Sequence, residues 1–213
     1  MSTRQRKVMR NSTVAAAMII GFCQLILFDS AHAQIVTNVD LLGYLPLQSP
    51  NYIADIWGYT DFTGEYALVC KFDGLAVIDV NDPYHPVVAS TVPSLGADMK
   101  DVKVYQHYAY AVNEFGPLQI IDLSDPYDAQ LVGAYDATFS GAHNLYINAQ
   151  YAYVVGTHDP VSGEINGGIN ILDLSNPTDP VEVGSWQDFY VHDVYVRNDT
   201  AYASLYWEGL FTS

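Results

Sequence analysis

Two histidines occupy the same place in successive copies of one phrase, and each precedes a carboxylate or an amide. They are His143-Asn144 and His192-Asp193; the matching positions in the two earlier copies read Ala54-Asp55 and Lys100-Asp101. Imidazole nitrogens suit zinc and other transition metals, and carboxylates complete such sites. Asp55, Asp101, Asn144 and Asp193 share one register, and carboxylates gathered at one point hold a cation or push one another's pKa upward. His143 and His192 alone are an incomplete ligand set, so the cofactor is open, with a divalent cation as the species such a cluster would take. A residue repeated in every copy ordinarily serves the copy, here by accepting hydrogen bonds from nearby backbone N–H groups. The histidines break the repetition and are the sharper candidates.

The elements that position these residues follow from the repeat. Gly74-Leu-Ala-Val-Ile-Asp79-Val-Asn-Asp-Pro83 returns as Gly116-Pro-Leu-Gln-Ile-Ile-Asp122-Leu-Ser-Asp-Pro126 and as Gly168-Ile-Asn-Ile-Leu-Asp173-Leu-Ser-Asn-Pro177, with the aspartates 43 and 51 residues apart. A period in this range marks a stacked or radial repeat architecture. Three further segments recur with the phrase. One precedes it and keeps an alanine in register at Ala67, Ala109, Ala152 and Ala201; one lies earlier still and carries the candidate residues; one follows the Asp-Pro turn, as in Gln130–Tyr135 and Val181–Trp186.

Each segment is five to seven residues long, rich in Val, Ile, Tyr and Leu, and bounded by turn formers, which is the signature of short strands. Asp79, Asp122 and Asp173 stand where turns begin. Four antiparallel strands in about 43 residues make one propeller blade. Leu118, Ile120, Ile121 and Leu123 make the third segment apolar on both faces, which suits a blade held between two others. A flat sandwich would leave one face wet, and a β-helix would have shorter rungs. The expected fold is therefore all-β: a β-propeller of four-stranded antiparallel blades, with repeats at about 54–93, 100–136, 143–188 and 192–213. Asp40-Leu-Leu-Gly43-Tyr44 resembles the fourth segment and is expected as an orphan outer strand. Trp207–Ser213 begins a third strand. The count is one orphan strand, three blades and about half of a fourth, so the chain reads as a truncated piece that exposes blade faces and aggregates when expressed alone.

The bulk numbers bound the setting. Arg4, Arg6, Lys7 and Arg10 precede an apolar run over 14–28 and the small-residue exit Ala31-His32-Ala33, which together describe a secretory signal peptide over 1–33. Its removal leaves 4 basic and 23 acidic residues, moving the formal charge from −16 to −19. Such a field repels nucleic acid and anionic membranes, and a solvated acidic coat explains it better than calcium binding, since no calcium-loop pattern occurs. The mature chain, 34–213, keeps one cysteine, Cys70, in an apolar strand-like run, where a buried inert thiol is expected. The chain carries no Gly-rich phosphate loop, no Gly-x-Ser-x-Gly elbow and no CxxC pair. The insert from His158 to Gly168 lengthens the third blade and reads as a flexible surface hairpin.

The phrase Leu75–Asp79, varied at Leu118–Asp122 and Ile169–Asp173, resembles the LVIVD repeat. Together with Ala142–Ile147, Tyr151–Val154 and Val191–Val194, the pattern resembles the choice-of-anchor B family of exported bacterial proteins over roughly Val39 to Leu210. That resemblance implies a surface or periplasmic propeller with a variable C-terminal anchor that is missing here. It supplies no catalytic residues. The expected function is an exported binding or interaction module. Its partner is an extracellular or periplasmic protein or glycan, with no nucleic acid, and with a membrane only through an absent anchor. The alternative is a metal-dependent hydrolase or lyase working at the channel mouth.

Overall fold

The computed structural model describes residues 39–50, 52–165, 167–206 and 209–212; the expected signal peptide lies outside them. The folded unit begins at Leu41. Its sheets follow the repeat. The first contains β1 (Ile53–Thr60), β2 (Glu65–Lys71), β3 (Gly74–Asp79) and β4 (Val87–Pro93). The second contains β5 (Ala97–Tyr105), β6 (Tyr108–Phe115), β7 (Leu118–Asp122) and β8 (Gln130–Tyr135), and the third β9 (Asn144–Asn148), β10 (Tyr151–Val155), β11 (Ile169–Asp173) and β12 (Val181–Trp186). The fourth contains β13 (Val191–Arg197), β14 (Thr200–Leu205) and β15 (Gly209–Thr212). Every pairing is antiparallel between consecutive strands. The four sheets form a ring, a four-blade β-propeller, in which β5 packs between β1 and β9, and β9 between β5 and β13.

The turns form for the reason the sequence suggests. The Oδ1 atoms of Asp79, Asp122 and Asp173 each accept a hydrogen bond from the backbone N–H two residues on, at 2.8 Å, so a short carboxylate closes each turn before the proline fixes it. Glycine opens the phrase because the outer strand passes close by. A Cβ on Gly74 would collide with the Val92 carbonyl, and one on Gly168 with that of Trp186.

Alternation then divides the apolar residues between two blade interfaces. Ala109 and Ala111 of β6 face the first blade with Ile121 and Leu123, joining Leu68, Leu75 and Met99. Tyr110 and Val112 face the third with Leu118 and Ile120, joining Leu145, Val154 and Leu172. A third layer holds Val155, Ile169, Val191, Val194 and Leu205 between the last two sheets. Each fully buried side chain of this kind contributes roughly 1.5–3 kcal/mol, which makes these layers the main support of the fold. Cys70 lies in the first layer, fully buried, and burial pushes its thiol pKa well up, as an inert cysteine requires.

One expectation is corrected. The segment around Asp40–Tyr44 forms no strand. Gly43 instead abuts the Pro83 carbonyl and Pro86, and Leu45 and Leu47 pack on Val69, Ala76 and Ile78, where apolar chain covers a blade face that would otherwise meet water. The insert is a surface hairpin, exposed over 159–165 and closed by an antiparallel bridge between His158 and Ile165; its base is anchored in the fold. His158 exchanges backbone hydrogen bonds with Ser140 and Gly141 at 3.0 and 2.9 Å and is itself buried.

Candidate functional site

β-Bulges place the candidate residues. The register shifts between Ile53 and Ile56, between Met99 and Asp101, and between Val191 and Asp193. The extra residue falls at or beside the position occupied by Ala54, Lys100 and His192, and bulges of this kind re-aim side chains. In β9 the pairing starts at Asn144 with no shift, and His143 lies just outside the strand.

The repeated polar position serves the blade at each acidic copy. Val102 and Val194 each donate their N–H to the preceding aspartate, Asp101 and Asp193, at 2.7 Å, and Asp55 accepts from Ile56. Asn144, half-buried, pairs with Val155. The structure therefore does not gather all four into one cluster. It makes a cluster of two of them with a lysine that the sequence reading passed over. Lys103 Nζ bonds Asp101 Oδ1, lies 3.4 Å from Asp55 Oδ2 and stands 4.7 Å over the Trp57 ring. Asp101 Oδ2 accepts the Leu145 N–H at 3.0 Å. One carboxylate thus ties the inner strands of three blades. Burial and the hydrogen bond to Asp55 push Asp101 up to about 7. Burial also raises Asp55, but the Asp101 hydrogen bond and the Lys103 charge outweigh it and hold it below the usual range.

His143 and His192 do meet, with ring centres 4.6 Å apart. Glu114, at the exit of β6, is the focus of His143 and of His158 from the third blade; His192 joins only through its ring contact with His143. Glu114 Oε2 lies 3.0 Å from His143 Nδ1 and its Oε1 3.1 Å from His158 Nε2, while Lys100 Nζ is 3.7 Å from Oε2. Lys100 also donates to the Tyr52 hydroxyl at 2.7 Å and pairs with Asp98 Oδ2 at 2.7 Å. Asp98 takes up a left-handed φ of 66° there, a conformation aspartate tolerates better than most residues. Burial raises the Glu114 carboxyl, but the two histidine hydrogen bonds and the Lys100 charge prevail and hold it below the usual range. Aromatic rings extend the cluster: His192 lies 5.5 Å from Tyr206, and Tyr206 6.5 Å from Tyr190. Gly156, at φ 60°, lets His143 and the Tyr190 hydroxyl approach; a Cβ there would come within 2.7 Å of the first and 3.0 Å of the second.

Glu114, Tyr190 and Tyr52 were absent from the sequence reading, and His158 entered it only as the first residue of the insert. One signal was available. Five residues after the in-register alanine the four copies read Phe72, Glu114, Thr157 and Tyr206, so a single acid interrupts an uncharged column. Among the described residues no group of three or more His, Cys, Asp or Glu is arranged to hold a metal ion, and the His143 nitrogen nearest the cluster is occupied by Glu114.

Beside the cluster a cleft of about 740 Å3 opens over the third blade, walled by His158, Asn170, Glu182, Gln187, Phe189 and Tyr190 among others. That volume lies within the roughly 300–1,000 Å3 usual for ligand sites. The cluster and the cleft share His158 and Tyr190, so they are one continuous region.

Comparison with known proteins agrees with the architecture. No curated protein matches the sequence. A solved structure, that of the computationally designed Ika4 protein, is similar at a TM-score of 0.60 and 10% identity, covering 83% of this chain and 98% of that one; at such identity the likeness concerns the fold alone. The LVIVD repeat model matches residues 61–93, 96–137 and 141–188, which cover β2 to β4 of the first blade and all of the second and third blades, with the insert that carries His158. The chain belongs to the LVIVD-repeat family.

Proposed function

We propose that this chain is an exported binding module of the choice-of-anchor B type, acting in the periplasm or at the cell surface, and that it takes its ligand at the channel end around Glu114. One observation carries the reading. Residues that depart from the repeat (Lys100, Glu114, His143, His158 and His192) come from three different blades and assemble into one partly exposed network. A propeller needs none of them at these positions, because other copies fold with Ala54 in place of the lysine and the histidine pair, Phe72 in place of Glu114, and Phe115, six residues after the in-register alanine, in place of His158. Holding two imidazoles and a lysine around one carboxylate fixes donors in place before a ligand arrives, which lowers the ordering cost of binding.

The charged N-terminal run and the Ala31-His32-Ala33 exit support export. Expression of the full chain with recovery of a mature form starting at Gln34 tests that part. The binding part is tested by screening the protein against arrays of extracellular proteins and glycans, then repeating the screen with Glu114→Gln and His143→Ala. Ligands that lose binding at least tenfold in both variants support the reading. Ligands bound equally well by both variants remove it.

A further inference from the structure

The walls of the blade-three cleft include positions where the third repeat departs from its neighbours. Strand pairing makes Asn170 equivalent to Gln119 and Ala76, Glu182 to Leu131 and Val88, and Ser185 to Ala134 and Thr91. Two apolar or small positions of the preceding blade have become polar together, on the same stretch of paired strands.

These groups are held rigidly from behind. Asn170 is buried; its Oδ1 accepts from Thr157 Oγ1 at 2.9 Å and from Gln187 Nε2 at 3.1 Å, and its Nδ2 donates to Glu182 Oε2 at 3.0 Å. Gln187 Oε1 accepts the Gly168 N–H at 2.7 Å. Trp186 Nε1 donates to Asp188 Oδ2 at 3.1 Å. Glu182 and Asp188 both line the cleft with Ser185 and Tyr190, and each accepts these bonds through one oxygen, Oε2 and Oδ2, so that each carboxylate keeps a second oxygen for a further donor. The Phe189 ring, 43% exposed, lies 6.0 Å from that of Trp186. Neither Lys nor Arg lines the cleft.

Planar carboxylates and amides fixed around a void accept and donate in the pattern that vicinal hydroxyls offer, and an exposed ring gives the apolar C–H face of a sugar something to lie on. Acidic walls with no basic partner repel phosphates and uronates. We propose that the blade-three cleft binds a neutral saccharide, with Glu182 and Asp188 accepting from its hydroxyls and Phe189 stacking on a ring face. This names the ligand class for the binding reading above and rests on it.

The test is calorimetric titration of the full chain with cellotriose, maltotriose, xylotriose and chitotriose, with trigalacturonate as the anionic control. The expected result is that at least one neutral trisaccharide binds and that trigalacturonate binds at least tenfold more weakly. Phe189→Ala and Glu182→Gln each weaken that binding at least tenfold while leaving the thermal midpoint unchanged; Glu182→Gln retains an oxygen for Asn170. Silence from all four neutral sugars, equal affinity for the uronate, or unchanged affinity in both variants overturns the proposal. A non-saccharide ligand that responds to His143→Ala, with no sugar bound, would defeat this assignment alone and leave the binding reading standing.

Discussion

Asp101 and Glu114 are carboxylates of one blade, on strands paired with each other, and their surroundings drive them in opposite directions. The Asp101 side chain is 3% exposed and shares its hydrogen bonding with another acid, Asp55, and with Lys103. That of Glu114 is 12% exposed and meets two imidazoles and Lys100. Burial raises both. At Asp101 it wins, because part of the neighbourhood is itself anionic; at Glu114 it loses, because every close polar partner can donate. The first group is built to join three blades. The second is built to stay ionised and to hold donors at the rim of a cleft. Neighbours as well as depth set the two carboxylates apart.

The sharpest way to break this comparison is to remove each carboxylate. Asp101→Ala leaves Lys103 without its nearest partner and the Leu145 N–H without an acceptor, so it should cost about 3–5 kcal/mol, read as a lowered urea midpoint. Asp101→Asn should cost far less and should change the pH profile. A carboxyl raised when folded binds more protons in the folded chain than in the unfolded one, so its stabilising contribution is complete below the unfolded pKa of about 4 and is lost as pH rises through about 7. Denaturant titrations from pH 4 to 8 should show that decline in the wild type and a flatter line in Asp101→Asn. Glu114 works the other way: its contribution is present above the unfolded value and lost as pH falls through the depressed folded one.

Glu114→Ala should cost about 1–3 kcal/mol, since partly exposed His143 and Lys100 recover some hydration while buried His158 loses its partner. Gly156→Ala combines an unfavourable φ of 60° with the contact to His143; about 1–2 kcal/mol is expected, with a ligand response weakened as in His143→Ala. Phe189→Ala is the smallest in stability, within about 0.5 kcal/mol, because the ring is exposed. Its effect belongs to binding.

How much of this was legible depended on whether the signal was local. The blades were readable because the Gly-to-Pro phrase and the in-register alanines recur, and because Leu118 to Leu123 is apolar on both faces. The turn aspartates were readable because a short acid before a proline has one common use. The contact between His143 and His192 followed from their shared register in adjacent blades. Glu114 and His158 were missed because they enter from the exit of a second strand and from an insert, and only packing between blades brings them to His143. Lys103 was missed for the same reason: its partner Asp55 is 48 residues away. The error at Asp40–Tyr44 came from trusting a Leu-Leu-Gly-Tyr pattern. The apolar run that follows, with Leu45 and Leu47, is used to cover a blade face, and pattern alone cannot tell that from a paired edge.

The most direct measurement is a carbon-13 NMR titration of the side-chain carboxyls in the full chain, with Asp101→Asn and Glu114→Gln identifying the two signals. The opposed environments described here predict one carboxyl titrating near 7 that vanishes in Asp101→Asn, and one titrating below the ordinary glutamate range that vanishes in Glu114→Gln. Two carboxyls both titrating at ordinary values near pH 4 would contradict the account.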